Sequence, residues 1–180
     1  MSKYFLRLLS VAPNFNRWVE QVNLQPLVRW APVPLRLIVG FGFMMHGYAK
    51  FSRGPESFAL ILHTIGVPMP VVLAWMTTLV ESIGGLAILL GAFVPMASLP
   101  MAVVLLTALF TIHLPYGFFS VKLVEVTQSG TKFGPVGYEI ILLYLAGLAA
   151  LALGGAGPFS IDRWRSRRNA KSKKLLKYRN

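Results

Sequence analysis

Apolar residues in this chain gather into four long runs. They extend from Val33 to Phe51, from Pro70 to Gly91, from Ser98 to Phe119 and from Val136 to Gly155. Each approaches the ~20 residues that cross ~30 Å of hydrocarbon at ~1.5 Å per residue. A helix on a soluble core would carry a polar stripe at helical spacing. These runs hold only isolated polar residues, so the pattern predicts four transmembrane helices. The connections between them are short. Ser52 to Met69 joins the first pair, and Ala92 to Ala97 is expected to be a tight turn. Ser120 to Pro135 joins the last pair and contains Ser129-Gly130-Thr131, a turn signal. The expected fold is therefore all-α: a membrane-spanning four-helix bundle over residues 33–162, with an N-terminal segment (1–32) and a C-terminal tail (163–180).

The two flanks read differently. Phe15, Trp18, Val19 and Val22 recur every three or four residues, with Arg17, Glu20 and Gln21 opposite them. That spacing predicts a short amphipathic segment in the membrane interface, with Trp18 and Trp30 at headgroup depth. Arg7 breaks the apolar run before it and no adequate core precedes a small-residue cleavage site, so a cleaved signal is not expected. The tail from Arg163 to Asn180 holds nine bases and no acid. Such a segment beside a membrane gains roughly 1 kcal/mol per base from anionic lipid. No aromatic or motif scaffold accompanies the charge, so nucleic acid is not an expected partner.

Composition agrees with the runs. Apolar residues make up 55% of the 180 and charged residues only 13%, against ~25% in ordinary soluble domains. Lys and Arg number 18 and Asp and Glu 6, a net charge of +12. The bases are one-sided: fourteen lie either in the stretch ending at Arg36 or after Asp162, while Lys50, Arg53, Lys122 and Lys132 fall in or beside the two longer connections. An even number of spans puts both termini on one side, and the excess of bases makes that side cytoplasmic. The chain has no cysteine, which removes disulfides, thiolate metal sites, iron–sulfur clusters and covalent haem.

Ionisable groups at membrane depth cost about 2.5–3.5 kcal/mol each on insertion scales. Glu81 stands near the middle of the second run, with Thr77, Thr78, Gly84 and Gly85 three and four residues away. Glutamine would pack there without ionisation, so a functional carboxylate is expected. On the first run Gly42, His46 and Lys50 share a face, with Lys50 near the outer end. On the third, His113 precedes Pro115, whose ring removes the hydrogen bond to the Thr111 carbonyl; Tyr116 and Gly117 share the His113 face. Glu139 lies about one turn inside the outer end of the fourth run. His63 is expected at the surface. Topology puts His46, His113 and Glu139 in the outer half and Glu81 nearest the midplane. Such a set suits, in this order, a quinone hydrogen-bonded by His and Glu, a metal ion held by two His and two carboxylates, or haem b between His46 and His113. The expected catalytic residues are Glu81, His46 and His113. Lys50, Tyr116 and Glu139 complete the ligand lining, and no metal-ligand set is assigned.

At these residues the sequence resembles the DoxX family of small four-helix membrane proteins. Leu35-Arg36-Leu37 followed by His46-Gly47-Tyr48-Ala49-Lys50 is similar to the family's R-L and H-G-x-x-K pattern. Gly66-Val67-Pro68-Met69-Pro70 resembles its G-x-P-x-P connection, and Glu81-Ser82-Ile83-Gly84-Gly85, running on to Leu89 and Gly91, its E-x-x-G-G helix. Gly155-Ala156-Gly157-Pro158-Phe159-Ser160-Ile161-Asp162 resembles its G-x-G-x-x-S-x-D ending. The resemblance spans roughly residues 33–162. It implies a bacterial or archaeal cytoplasmic-membrane protein linked to quinone-dependent oxidation and to membrane redox complexes. The expected function is a quinone-interacting or redox-associated subunit of a membrane oxidoreductase, with other redox subunits as partners. The alternative is a non-catalytic accessory subunit of a larger membrane complex. A small transporter ranks below both, because no inverted repeat is present.

Overall fold

The computed structural model describes residues 25–177. One helical turn at Gln25–Val28 leads into helix α1 (Pro32–Arg53), a short helix α2 (Pro55–Thr64), α3 (Pro70–Leu90) and α4 (Val94–Ala108). The chain runs on from α4 through a π-helical turn, Leu109–His113, and a 3-10 turn, Leu114–Tyr116. An antiparallel hairpin of β1 (Leu123–Thr127) and β2 (Gly130–Phe133) follows, then α5 (Glu139–Gly154) and α6 (Ile161–Lys177). Proline stands in the first turn of α1, α2, α3 and α4. Its fixed φ suits that position, and the N–H it lacks has no intrahelical partner there.

Helix α1 packs along α3 and also touches α5, while α4 contacts both α3 and α5 and closes the circuit. The core between them is Val39, Phe43, Ile88, Val94, Met101, Leu148, Leu151 and Ala156. Contact between α1 and α3 is at the level of backbone. A Cβ on Gly40 would sit 2.7 Å from the Leu89 nitrogen, and one on Gly85 would sit 2.7 Å from the Met44 nitrogen. Small residues let helices approach this closely. The glycine-containing motif of α3 is thus a packing seam.

Three expectations about the connections need correction. Ser52 to Met69 is not a plain loop, because α2 forms inside it. Pro55 opens that helix, and Phe58, Ala59 and Leu62, at helical spacing, pack on Leu73 and Ala74 of α3. The tight turn is shorter than Ala92 to Ala97: Gly91 (φ 65°) and Phe93 (φ 49°) reverse the chain, and α4 begins at Val94, four residues before Ser98. The fold is not purely α, since Ser120 to Pro135 carries the hairpin, with Val124, Val126 and Thr127 supplying β-branched residues. The basic tail is helical as far as Lys177. The amphipathic segment expected around Phe15 and Trp18 lies outside the described residues, as do 178–180.

Among the described residues, two helices are long and apolar enough to cross a membrane: Pro70–Leu90, 21 residues, and Val94–Tyr116, 23 residues. In their most apolar windows only 28% and 17% of residues are buried, which is unlike the core helix of a soluble protein. Large apolar side chains such as Ile38, Ile83, Val103, Phe110 and Leu143 point outward at 62–65% exposure. The other two expected spans differ in kind. Helix α1 has 22 residues but carries Arg36, Lys50 and Arg53, and α5 has 16 residues, about 24 Å of helix.

Candidate functional site

The tight seam between α1 and α3 creates one buried ion pair. Gly47 lies three residues before Lys50, and a Cβ there would collide with the Ser82 hydroxyl on α3. With the helices this close, Lys50 Nζ donates to Glu81 Oε2 at 2.5 Å. The two side chains are 19% and 8% exposed. Lys50 Nζ also lies 5.0 Å from the centre of the Phe58 ring, so α2 covers the pair from the side of the first connection. The Thr78 hydroxyl donates to the Ala74 carbonyl one turn back, not to the carboxylate. Among the described residues Glu81 makes no other side-chain hydrogen bond. The arrangement thus holds an ammonium with spare N–H donors and a carboxylate with a spare acceptor oxygen, close together in an apolar surround.

The other expected site residues do not join this pair. His46 is exposed on the outward face of α1. The adjacent Gly47, not His46, faces α3, because 3.6 residues per turn allow only one of the two neighbours into the seam. His113 sits in the π-helical turn, where its Nδ1 donates to the Val136 carbonyl at 2.8 Å. The Glu139 carboxylate accepts from the Ser120 N–H at 3.1 Å, and the Ser120 hydroxyl accepts from the Ile140 N–H at 3.1 Å. Backbone bonds from Gly137, Tyr138 and Glu139 to the carbonyls of Phe119, Gly117 and Phe118 complete this stitch. His113 and Glu139 therefore tie the end of the third apolar run to the start of α5. Tyr116 is exposed beside them, and His63 is exposed as expected. The regular α-helix ends at Ala108, before Pro115 is reached, and the ladder first widens over Leu109–His113 and then tightens over Leu114–Tyr116. Among the described residues, no group of three His, Asp or Glu comes together to hold a metal ion. Haem ligation by His46 and His113 gains no support from an outward-facing ring and a ring bonded to a carbonyl.

The sequence reading overlooked a second polar cluster. Arg36, read there as a topological charge and as part of the R-L motif, is 5% exposed. It donates to the carbonyls of Ala156 and Phe159, both at 2.9 Å, and its Nε has no partner among the described residues. The Asp162 carboxylate accepts from the N–H groups of Phe93 and Val94 at 2.8 and 3.0 Å, capping α4 across the chain. The Asp162 N–H donates to the Gly91 carbonyl. Ser160 accepts from the Arg163 N–H and so caps α6. A Cβ on Gly91 would lie 2.5 Å from the Ser160 Cβ and 2.7 Å from an Arg36 nitrogen. The R-L and G-x-G-x-x-S-x-D segments, 120 residues apart in sequence, thus form one clamp that closes the end of the bundle opposite the hairpin. Only the pairing of those two motifs could have suggested it.

These features define a small helical membrane protein: outward apolar faces, helices in backbone contact, and its buried charges matched by partners. Within that class the chain is similar to the DoxX family, whose family model matches residues 31–114. It is also similar to a protein of Haemophilus influenzae described as uncharacterized, 29% identical over 130 residues that cover 71% of this chain and 85% of that protein. No solved structure matches.

Proposed function

We propose that α1, α3, the α4 run to Tyr116, and α5 all span the membrane, with both termini cytoplasmic, and that the chain is a quinone-contacting subunit of a membrane redox system. One observation carries this reading: the Lys50–Glu81 pair, 2.5 Å long and buried between two close-packed helices. Charged residues inside membrane proteins mark functional sites by default. The donor set suits a quinone headgroup, since a carbonyl oxygen needs a donor and a hydroxyl needs an acceptor. A bound quinone would supply two-electron redox chemistry. Lys50 would orient a carbonyl with its spare N–H donors, and Glu81 would hold or release the proton at its carboxylate. Phe58 limits water at the ammonium. His46, His113 and Glu139 drop out of this version of the site, because two of them already serve the backbone and the third faces outward.

The test is to purify the full chain in mild detergent, extract it with organic solvent and measure quinone. Glu81→Gln and Lys50→Met should each lower the retained quinone several-fold, whereas His46→Ala should not. Equal retention by all three variants would overturn the site, and no quinone in the wild type would overturn the reading.

A second reading, the non-catalytic accessory subunit, is favoured by a different observation. Arg36, His113, Glu139 and Asp162 are all spent on holding backbone groups. On this reading Lys50–Glu81 is one more structural bond. Its expected signature is a partner that co-purifies with wild type and with Lys50→Met/Glu81→Gln alike, with no quinone in either.

A further inference from the structure

The arginines near the start of α6 sort into two groups. Arg36 is bonded to two carbonyls. The Arg165 guanidinium lies 4.3 Å from the centre of the Phe93 ring, and that of Arg168 lies 4.3 Å from the centre of the Trp164 ring. Among the described residues, Arg29, Arg163 and Arg167 have neither kind of partner, and the one ion pair is Lys50–Glu81. Those three line a single concavity of about 230 Å³, together with Trp30, Pro158 and Phe159.

Its construction is specific. Arg163 and Arg167 stand one turn apart on α6 and so share a face. Arg29 comes from the segment before α1. The Trp30 and Phe159 rings meet at 5.5 Å and form an apolar wall. Phe159 is held at a positive φ of 53°, and its carbonyl is gripped by Arg36. The carboxylate nearest in sequence, Asp162, is committed to two backbone N–H groups. Three guanidiniums sharing one concavity repel each other until an anion joins them. Planar guanidiniums match phosphate oxygens in bidentate fashion, and an aromatic wall belongs where a ligand is polar at one end and apolar at the other.

We propose that this concavity binds the phosphate of an anionic glycerophospholipid headgroup, with Trp30 and Phe159 against its glycerol and first acyl carbons. The proposal rests on the membrane reading above, which puts this end of the bundle at the headgroups of the cytoplasmic leaflet.

The experiment is native mass spectrometry of the full chain released from detergent, with phosphatidylglycerol, phosphatidylcholine or inorganic phosphate added. Wild type should retain phosphatidylglycerol at least about tenfold better than phosphatidylcholine. Arg29→Gln/Arg163→Gln should abolish that preference. Arg165→Gln/Arg168→Gln removes the same charge outside the concavity and should keep it. Equal loss in both double variants would overturn the site in favour of diffuse attraction to the basic helix. Displacement of the lipid by equimolar inorganic phosphate would overturn the lipid assignment in favour of free phosphate. Unfolding midpoints in detergent identify a variant that loses lipid by losing its fold. Trp30→Ala then serves as a second probe, keeping every charge and weakening phosphatidylglycerol retention; unchanged retention would overturn the aromatic wall. Recovery of the wild type in the soluble fraction of cells would sink the membrane reading itself, whereas membrane recovery with no lipid preference would sink only the site.

Discussion

The buried pair between α1 and α3 lends itself to a thermodynamic cycle. Lys50 and Glu81 are 19% and 8% exposed and meet at 2.5 Å. Removing one member of a buried pair leaves the other charge uncompensated, at a cost of about 3–5 kcal/mol. Lys50 keeps some contact with solvent and with the Phe58 ring, the latter being worth about 0.5–1 kcal/mol. The lower end of the range therefore applies, and Glu81→Gln should destabilise by roughly 3 kcal/mol. For a chain of this size that corresponds to a fall in midpoint of roughly 6–12 °C. Lys50→Met should fall similarly. The double variant Lys50→Met/Glu81→Gln leaves a thioether chain beside a neutral amide, so no net charge remains buried and it should recover most of the loss. The assay is thermal unfolding in mild detergent near neutral pH, followed by far-ultraviolet circular dichroism. A coupling energy of about 2 kcal/mol or more is expected between the two positions. Costs that simply add in the double variant, within about 0.5 kcal/mol, would refute the idea that the two charges depend on each other.

Three further substitutions test the packing and the two ends of the bundle. Gly85→Ala puts a Cβ 2.7 Å from the Met44 nitrogen and must push the helices apart, so a loss of about 1–3 kcal/mol is expected in the same unfolding assay; an unchanged midpoint would show that the seam is loose. Asp162→Ala strips the cap from the Phe93 and Val94 N–H groups and should cost about 0.5–2 kcal/mol, with Asp162→Asn recovering part of it; equal losses in the two variants would argue against the cap. His113→Phe removes the bond to the Val136 carbonyl and should cost about 0.5–1.5 kcal/mol without changing quinone retention; a loss of quinone would return His113 to the site.

The long helices were legible because their signal is collective. Twenty apolar residues in a row outweigh any local ambiguity, and the runs from Val33 and Pro70 match α1 and α3 to within two residues. The connections were less legible. The helix at Pro55–Thr64 is short, and its pattern reads as a helix only once Ala74 is known to lie opposite. The hairpin hid because its strands are five and four residues long and fully exposed, so no buried face imposed an alternation to read. Within the candidate site, Glu81 and Lys50 were singled out but not paired, since sequence gives depth and not helix rotation. His46 shows the cost of that gap: one residue of rotation separates an inward Gly47 from an outward His46. Arg36 and Asp162 were named in two motifs but not as parts of one cluster, because sequence does not show that segments 120 residues apart meet.

The distribution of those partners narrows the functional question. Helix ends leave N–H and carbonyl groups without intrahelical partners, and polar side chains at the two ends of this bundle meet that demand. Arg36, Ser160 and Asp162 do so at one end, and His113, Ser120 and Glu139 do so at the other. Each of those side chains has a backbone group to serve. Among the described residues Lys50 and Glu81 serve no backbone group; they satisfy only each other, at the outer end of a seam that glycine and serine already close. A buried ion pair is weak ground for stability, because apolar residues of similar volume often do as well. The structural need that accounts for the other polar residues is therefore missing at this one place, which makes Lys50–Glu81 the part of the molecule whose removal tests function and not folding alone.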